Sequence, residues 1–347
     1  MQARTLLPAI LSLCALSLPV GVLAQSNALT STTLTLNIAV ADKSGQPIRG
    51  LTQSQFTLLD NKKPLNILNF HEVTAVTPQD PAQAVILIDG IDTPLSRIAD
   101  IRRRIGDYLR SAGPQLPLPI SFAFLQDDGL KIQEEPTRDT KVLLANLEKN
   151  PLPQQVHAIT TDYEFQADVR EKSLGALDQL AQRLSNRPGR KLLVWITPGW
   201  PSFEAQTVVK SRQQMGMLFT YITNLNTVLR RADITLYQID SSGTQGGNND
   251  NVSQYGNYVK GASSADDADN ADLMLSVLAI QSGGLVLYGN NDVMGFISQC
   301  LNDASAYYEV TVQTPVPAHA AEAHRITLKM PDKHWKARTR TLYYAIE

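Results

Sequence analysis

Cysteine is nearly absent: Cys14 and Cys300 are the two in 347 residues. That excludes a disulfide-stapled scaffold and any zinc site built on thiolates. A surplus of either charge is missing too, since 31 Lys and Arg face 33 Asp and Glu for a net −2. A protein that grips nucleic acid by bulk charge needs a strongly basic face, so that class is excluded. The five histidines (His71, His157, His319, His324 and His334) are scattered, without an HExxH pair, and present no zinc set. There is no G-x-S-x-G elbow, no G-x-x-x-x-G-K-[ST] loop, and no G-x-G-x-x-G after an apolar strand. Serine hydrolases of the elbow type, P-loop NTPases and dinucleotide-binding enzymes therefore lose their usual signatures. Beyond residue 24 no apolar run is long enough to span a bilayer, so no transmembrane segment is expected in the mature chain.

What is present is a globular composition, 43% hydrophobic and 18% charged. Residues 1–24 carry Arg4, an apolar run from Leu6 to Leu18 and a Val22-Leu23-Ala24 end. This is the pattern of a signal peptide cleaved after Ala24, and it implies export to the periplasm or beyond. Retention as an anchor is the competing reading, opposed by Pro8, Pro19 and the shortness of the run. The mature chain, 25–347, would then keep Cys300 alone. It lies on the apolar side of a predicted helix with Ile297 and Leu301, which favours burial over pairing.

The remaining pattern changes twice. Residues 32–41, 56–59 and 65–73 read as strands separated by the turns 42–47 and 60–64. From Ala84 the chain alternates buried-type apolar strands (84–88, 120–125, 191–197, 234–239, 285–288) with helical periodicity at 95–111, 139–149, 164–186, 206–231, 271–282 and 291–303. A shorter strand falls at 129–133. Strands that alternate with helices imply a doubly wound, mostly parallel α/β sheet. After Tyr307 the strand pattern returns at 308–312, 325–330 and 339–346. Neither β block is long enough alone, so 27–75 and 305–347 are expected to form one small β-sandwich into which the α/β domain, 82–304, is inserted. Residues 241–270, rich in Gly, Asn, Ser and Asp, read as a structureless loop.

The strand ending in Asp89-Gly90-Ile91-Asp92-Thr93 resembles the first strand and loop of von Willebrand factor type A domains. Leu192-Leu193-Val194-Trp195-Ile196-Thr197-Pro198-Gly199 looks like that family's fourth strand, and the flanking segments from Val40 to Phe70 and from Ser305 to Ala345 are similar to those of secreted bacterial relatives with Ig-like β segments. The resemblance implies an adhesive or protein-binding role and a Mg²⁺ ion at the carboxyl edge, held by Asp-x-Ser-x-Ser, a Thr on the second loop and an Asp on the third. Here Asp89 and Thr93 match, and Thr160 or Thr161 could supply the second loop. Ile91 replaces the middle Ser and Pro198 the last Asp, so the motif is degenerate. Asp92 is an extra carboxylate nearby. The competing reading is that Asp89 and Thr93 cap the following helix.

Trp200 and Phe203, beyond Pro198-Gly199, are expected at the same edge with Asp92. They would either anchor a protein partner or pack beneath the loop. Asp266, Asp267, Asp269 and Asp272 precede a helix but lack the Gly and Glu positions of a calcium loop. The expected function is a non-catalytic, exported binding protein whose carboxyl-edge loops take a protein partner. A Mg²⁺-dependent adhesion module is the alternative. An envelope hydrolase using Asp89 and Asp92 is the weakest reading.

Overall fold

The structure is a computed structural model. It describes residues 31–153, 159–160, 162–200, 211–245 and 255–345. The signal segment, Thr161 and Phe203 lie outside the described residues.

The N-terminal block forms β1 (Ser31–Ala41), β2 (Thr57–Asp60), β3 (Lys63–Pro64) and β4 (Asn66–Val73). The central block runs β5 (Ala82–Asp89), α1 (Leu95–Ser111), β6 (Gln115–Gln126), β7 (Gly129–Ile132), β8 (Thr137–Asp139), α2 (Thr140–Lys149), α3 (Tyr163–Ser185), β9 (Arg190–Thr197), α4 (Arg212–Arg231), β10 (Ile234–Asp240), α5 (Leu275–Gln281), β11 (Val286–Leu287) and α6 (Val293–Ser305). The chain closes with β12 (Tyr307–Pro315), β13 (Ala323–Lys329), β14 (Lys336–Arg338) and β15 (Leu342–Tyr344).

The central strands form a sheet in the order β11-β10-β9-β5-β6-β7, with β8 also on β6. Pairing is parallel from β11 through to β6 and antiparallel for β7 and β8. The unbroken apolar run of β5 is explained by burial on both faces. Val85 and Leu87 enter one core with α3, α4 and α5, whereas Ala84, Ile86 and Ile88 enter the other with α1, α2 and α6. Trp195 and Val194 of β9 divide in the same way. In α1 the apolar stripe Ile98, Ile101, Ile105 and Leu109 keeps helical spacing and is fully buried. Cys300 sits on the corresponding face of α6, wholly buried, and burial pushes its thiol up.

Both chain ends build one β unit. Its sheets are β14-β1-β12-β4 and β15-β13-β2-β3, all paired antiparallel. Leu36, Ile38, Phe56, Leu58, Tyr308, Val310, Ile326 and Tyr343 from the two sheets share one core. Of the stretch expected as a final strand, 339–346, only Leu342–Tyr344 forms a strand, β15; β14 ends before it at Arg338, and Thr339–Thr341 split the two. Gly283 explains part of that split. It lies at φ +91, and a Cβ there would sit 2.6 Å from the Thr339 carbonyl carbon, so the turn after α5 and the 339–340 backbone approach more closely than a side chain permits.

The loop 241–270 is not structureless where it is described. Residues 255–260 and 265–267 form 3-10 turns, and Ala262 and Ala268 are buried in the core beside α4. The aspartates there act locally: Asp267 takes the Ser263 and Ser264 amides, and Asp269 takes the Ala271 amide. Short polar side chains satisfy the backbone, and small alanines let it pack closely.

Candidate functional site at the carboxyl edge

The strand order reverses direction at β5. Chain continuation moves outward to β6 on one side, and β9 returns on the other. The crevice at the carboxyl ends of β5 and β9 is therefore the switch point where open α/β sheets place ligands. Asp89 ends β5 and Thr197 ends β9.

Beneath the crevice lies a buried polar floor. Asp89 is wholly buried; its Oδ1 accepts the Ile91 amide at 3.1 Å and its Oδ2 accepts the indole N–H of Trp195 at 3.0 Å. Burial pushes its carboxyl up to about 6, against the pull of those donors. Asp92 is also buried and is driven well above the usual carboxylate range, by desolvation first and by the charge of Asp89 second. The Thr197 hydroxyl donates to Asp92 Oδ1 at 3.4 Å. Thr93 meets the Ser241 hydroxyl at 3.3 Å, Asp240 accepts the Ser242 amide at 2.7 Å, and Arg97 donates to the Ser242 carbonyl at 3.0 Å. These bonds tie the loops after β5, β9 and β10 into one piece.

Several expected roles change. The helix-capping alternative fails in its details: the N-cap of α1 is Pro94, without a side-chain bond, and Asp89 closes a tight turn onto Ile91 instead. Asp92, expected to face a partner, is turned inward, and of the two readings for Trp200 it is packing beneath the loop that the structure shows. Trp200 is 4% exposed and packs edge-on against Trp195, with ring centroids 5.4 Å apart. Burying that ring removes more apolar area than any other residue of the loop could. Thr160 bonds Asp162, the N-cap of α3, rather than the floor. Trp195, Thr197, Ser241 and Arg97 complete the floor and were not singled out by sequence. The one signal was a Trp inside a doubly buried strand, whose N–H must find an acceptor.

The donor set does not fit an octahedral Mg²⁺. Such an ion requires several oxygens at about 2.1 Å. Each oxygen of Asp89 gives one lone pair to an N–H group, and the Trp195 N–H presents positive charge toward Asp89 where a cation would sit. Ile91 offers an apolar chain, 3% exposed, where a hydroxyl would be needed.

Above this floor the surface is apolar in places. Ten large hydrophobic residues are exposed among the described residues, and five belong to this edge: Leu95, Leu152, Ile159, Tyr163 and Tyr288. Leu95 opens α1, Tyr163 opens α3, and Tyr288 follows β11. Pro153 lies against Gly90, which brings the 150–153 turn over the crevice.

No family model matches the chain, and no curated protein matches it in sequence. Among solved structures, the human COPII-coat protein Sec24c aligns over 80% of this chain and 46% of its own, at TM-score 0.37 and 9% identity. The chain thus spans about half the length of that protein. The N-terminal domain of TFIIH p34 aligns over 47% of this chain and 82% of its own, at TM-score 0.25 and 14% identity. Neither alignment adds to what the strand order establishes: a mixed α/β domain on a largely parallel sheet, with antiparallel sheets at the chain ends. Among the described residues no helix is long and apolar enough to cross a membrane.

Proposed function

We propose that this protein is an exported, non-catalytic binding protein, and that the carboxyl-edge loops of a von Willebrand factor A-like domain hold a protein partner without a metal ion. The observation that carries this reading is that exposed Leu95, Leu152, Ile159, Tyr163 and Tyr288 all lie on segments next to the carboxyl ends of the strands, beside loops cross-linked by a buried polar floor. Exposed apolar residues on several loops of one sheet edge offer a partner apolar contact there. Loops fixed in advance lose little entropy on binding.

The test is capture from an envelope extract, comparing the chain 25–347 with its Leu95→Glu/Tyr163→Glu variant. The intact chain should retain a distinct partner with EDTA present, and the variant should lose it. Equal retention by both would refute the reading, and retention abolished by EDTA and restored by Mg²⁺ would assign the metal-dependent mode instead. In the same preparation, about 10 mM Mg²⁺ should move the melting temperature by less than about 1 °C, because an ion bound at millimolar affinity would stabilise by more than about 1 kcal/mol.

A further inference from the structure

A cavity of about 400 Å³ lies at the opposite end of the sheet from the crevice. The amino half of β6 supplies its floor, where Leu116, Leu118 and Ile120 are buried. They occupy alternate strand positions and so share one face. The carboxyl half of α6 adds Leu301 and Ala304, and the segment after β4 adds Val76. The cavity thus sits where the chain passes from the β unit into the α/β domain. Small-molecule sites favour such junctions, and this volume is within their range.

The charge on its wall has one sign. Arg138 of β8 lines the cavity, and neither Asp nor Glu does. A guanidinium keeps its charge at any ordinary pH. Arg138 is half-buried, and one of its N–H groups donates to the Val76 carbonyl at 3.3 Å. Among the described residues it has no ion-pair partner and no further hydrogen bond. The remaining polar side chains on the wall, Tyr108 and Ser298 among them, are neutral. The last turn of α6 brings about half a negative charge from its carbonyls. Ser305 already donates to one of these, that of Asn302, at 2.8 Å. The guanidinium carries a full unit and decides the sign.

Size and polarity narrow the ligand. At roughly 30 Å³ per water-sized group, the cavity takes about a dozen heavy atoms. A phosphate group brings nearly two charges, and one guanidinium would leave part of that uncompensated beside apolar walls. A carboxylate brings one, and its two oxygens match the parallel N–H groups of Arg. Water against the floor finds few partners, so an apolar group that displaces it gains affinity. We infer that this cavity binds a monocarboxylic acid with an apolar body of about ten carbons. Its carboxylate lies on Arg138, and its body lies against Leu116, Leu118, Ile120 and Leu301. The Val76 carbonyl holds the guanidinium in advance, which lowers the entropy lost on binding.

The test is titration of the chain 25–347 with decanoate and with phenylbutyrate, followed by calorimetry and by the Arg138 Nε–H resonance. The matching alcohols, decanol and phenylbutanol, lack the charge and are the controls. At least one acid should bind saturably and shift that resonance, and its alcohol should bind about tenfold more weakly or worse. Which acid binds distinguishes a straight chain from an aromatic one. Arg138→Gln should weaken the acid by a similar factor. Ser298 is exposed on α6 at the cavity wall, so Ser298→Trp should fill the cavity and abolish binding at the parent melting temperature. The Leu95→Glu/Tyr163→Glu variant, altered at the other end of the sheet, should bind as the parent does. No saturable binding of either acid, equal binding of the alcohol, or unchanged affinity in Arg138→Gln or Ser298→Trp would each overturn the assignment. Loss of binding in the Leu95→Glu/Tyr163→Glu variant would place the acid at the crevice and overturn it as well.

Discussion

Asp303→Ala should lower the stability of the whole chain by about 3–5 kcal/mol, the cost of leaving a buried charge without its counter-ion. Asp303 is at the end of α6 and is 8% exposed. Arg338 of β14 donates to both of its oxygens, at 2.6 Å for Oδ1, and the buried Tyr237 hydroxyl of β10 donates to Oδ2 at 2.6 Å. Arg190, at the start of β9, donates to its backbone carbonyl and lies over the Tyr307 ring at 4.5 Å. Asp303 thus joins β9 and β10 to the terminal β unit, its carboxylate through Tyr237 and Arg338 and its backbone carbonyl through Arg190. Alanine would strand a guanidinium and a phenol in a poorly hydrated interface. The melting temperature should fall by about 10 °C. The three tryptophans allow a finer measurement, because Trp195 and Trp200 report the α/β core and Trp335 the β unit. Their unfolding transitions, coincident in the parent, should separate in the variant. Adding Arg338→Met should recover part of the loss. A drop below about 1 kcal/mol would show that the network is not what couples the two units.

That network also marks how far the sequence could be read. Periodicity alone located β5, β9 and β10, because strands buried on both faces are mostly apolar, with Thr235 and Gln238 the interruptions in β10. The return of alternation after Tyr307 implied a β unit shared between the chain ends, and β1 does pair with β12 across most of the sequence. Pairing between distant segments was inferred from insufficient length, whereas its register was invisible. The interface charges were equally hidden. Arg190, Asp303 and Arg338 look like ordinary surface residues until the topology brings them together. At the carboxyl edge, Asp89 and Thr93 were found through their place after a buried strand. Their chemistry was misjudged, because a linear motif does not reveal that the indole of Trp195 approaches from the neighbouring strand. The inward turn of Trp200 has the same origin: side-chain direction after a strand end depends on a loop geometry that no periodicity encodes. His324 was read as one scattered histidine among five, and its partner Asp60 lies 264 residues away.

A fall in stability between about pH 4 and pH 7 should trace to the floor of the crevice. Asp89 has its carboxyl pushed from 3.8 to about 6 by burial, and Asp92 is shifted in the same direction by burial and by Asp89. In this window the unfolded chain has released these protons while the folded chain still holds them. Folding is therefore favoured at the acid end, and the contribution is lost as pH rises through the folded value. For Asp89 a shift of about two units corresponds to about 3 kcal/mol. Asp89→Asn removes this titration and, by deleting the charge, relaxes Asp92 as well. The amide does impose a fixed cost, because its NH₂ must face either the Ile91 amide or the Trp195 indole N–H, both donors to Asp89. That cost does not vary with pH, so the slope separates it from the titration. Urea unfolding at intervals from pH 4 to pH 7, with EDTA present, should give a variant curve flatter than the parent by about 3 kcal/mol across the window. Asp233, also raised to about 6 by burial, titrates in both proteins and cancels in the difference. Parallel curves would mean that Asp89 is ionised throughout. A slope that Mg²⁺ abolishes in the parent alone would mean that the two carboxylates hold a cation after all.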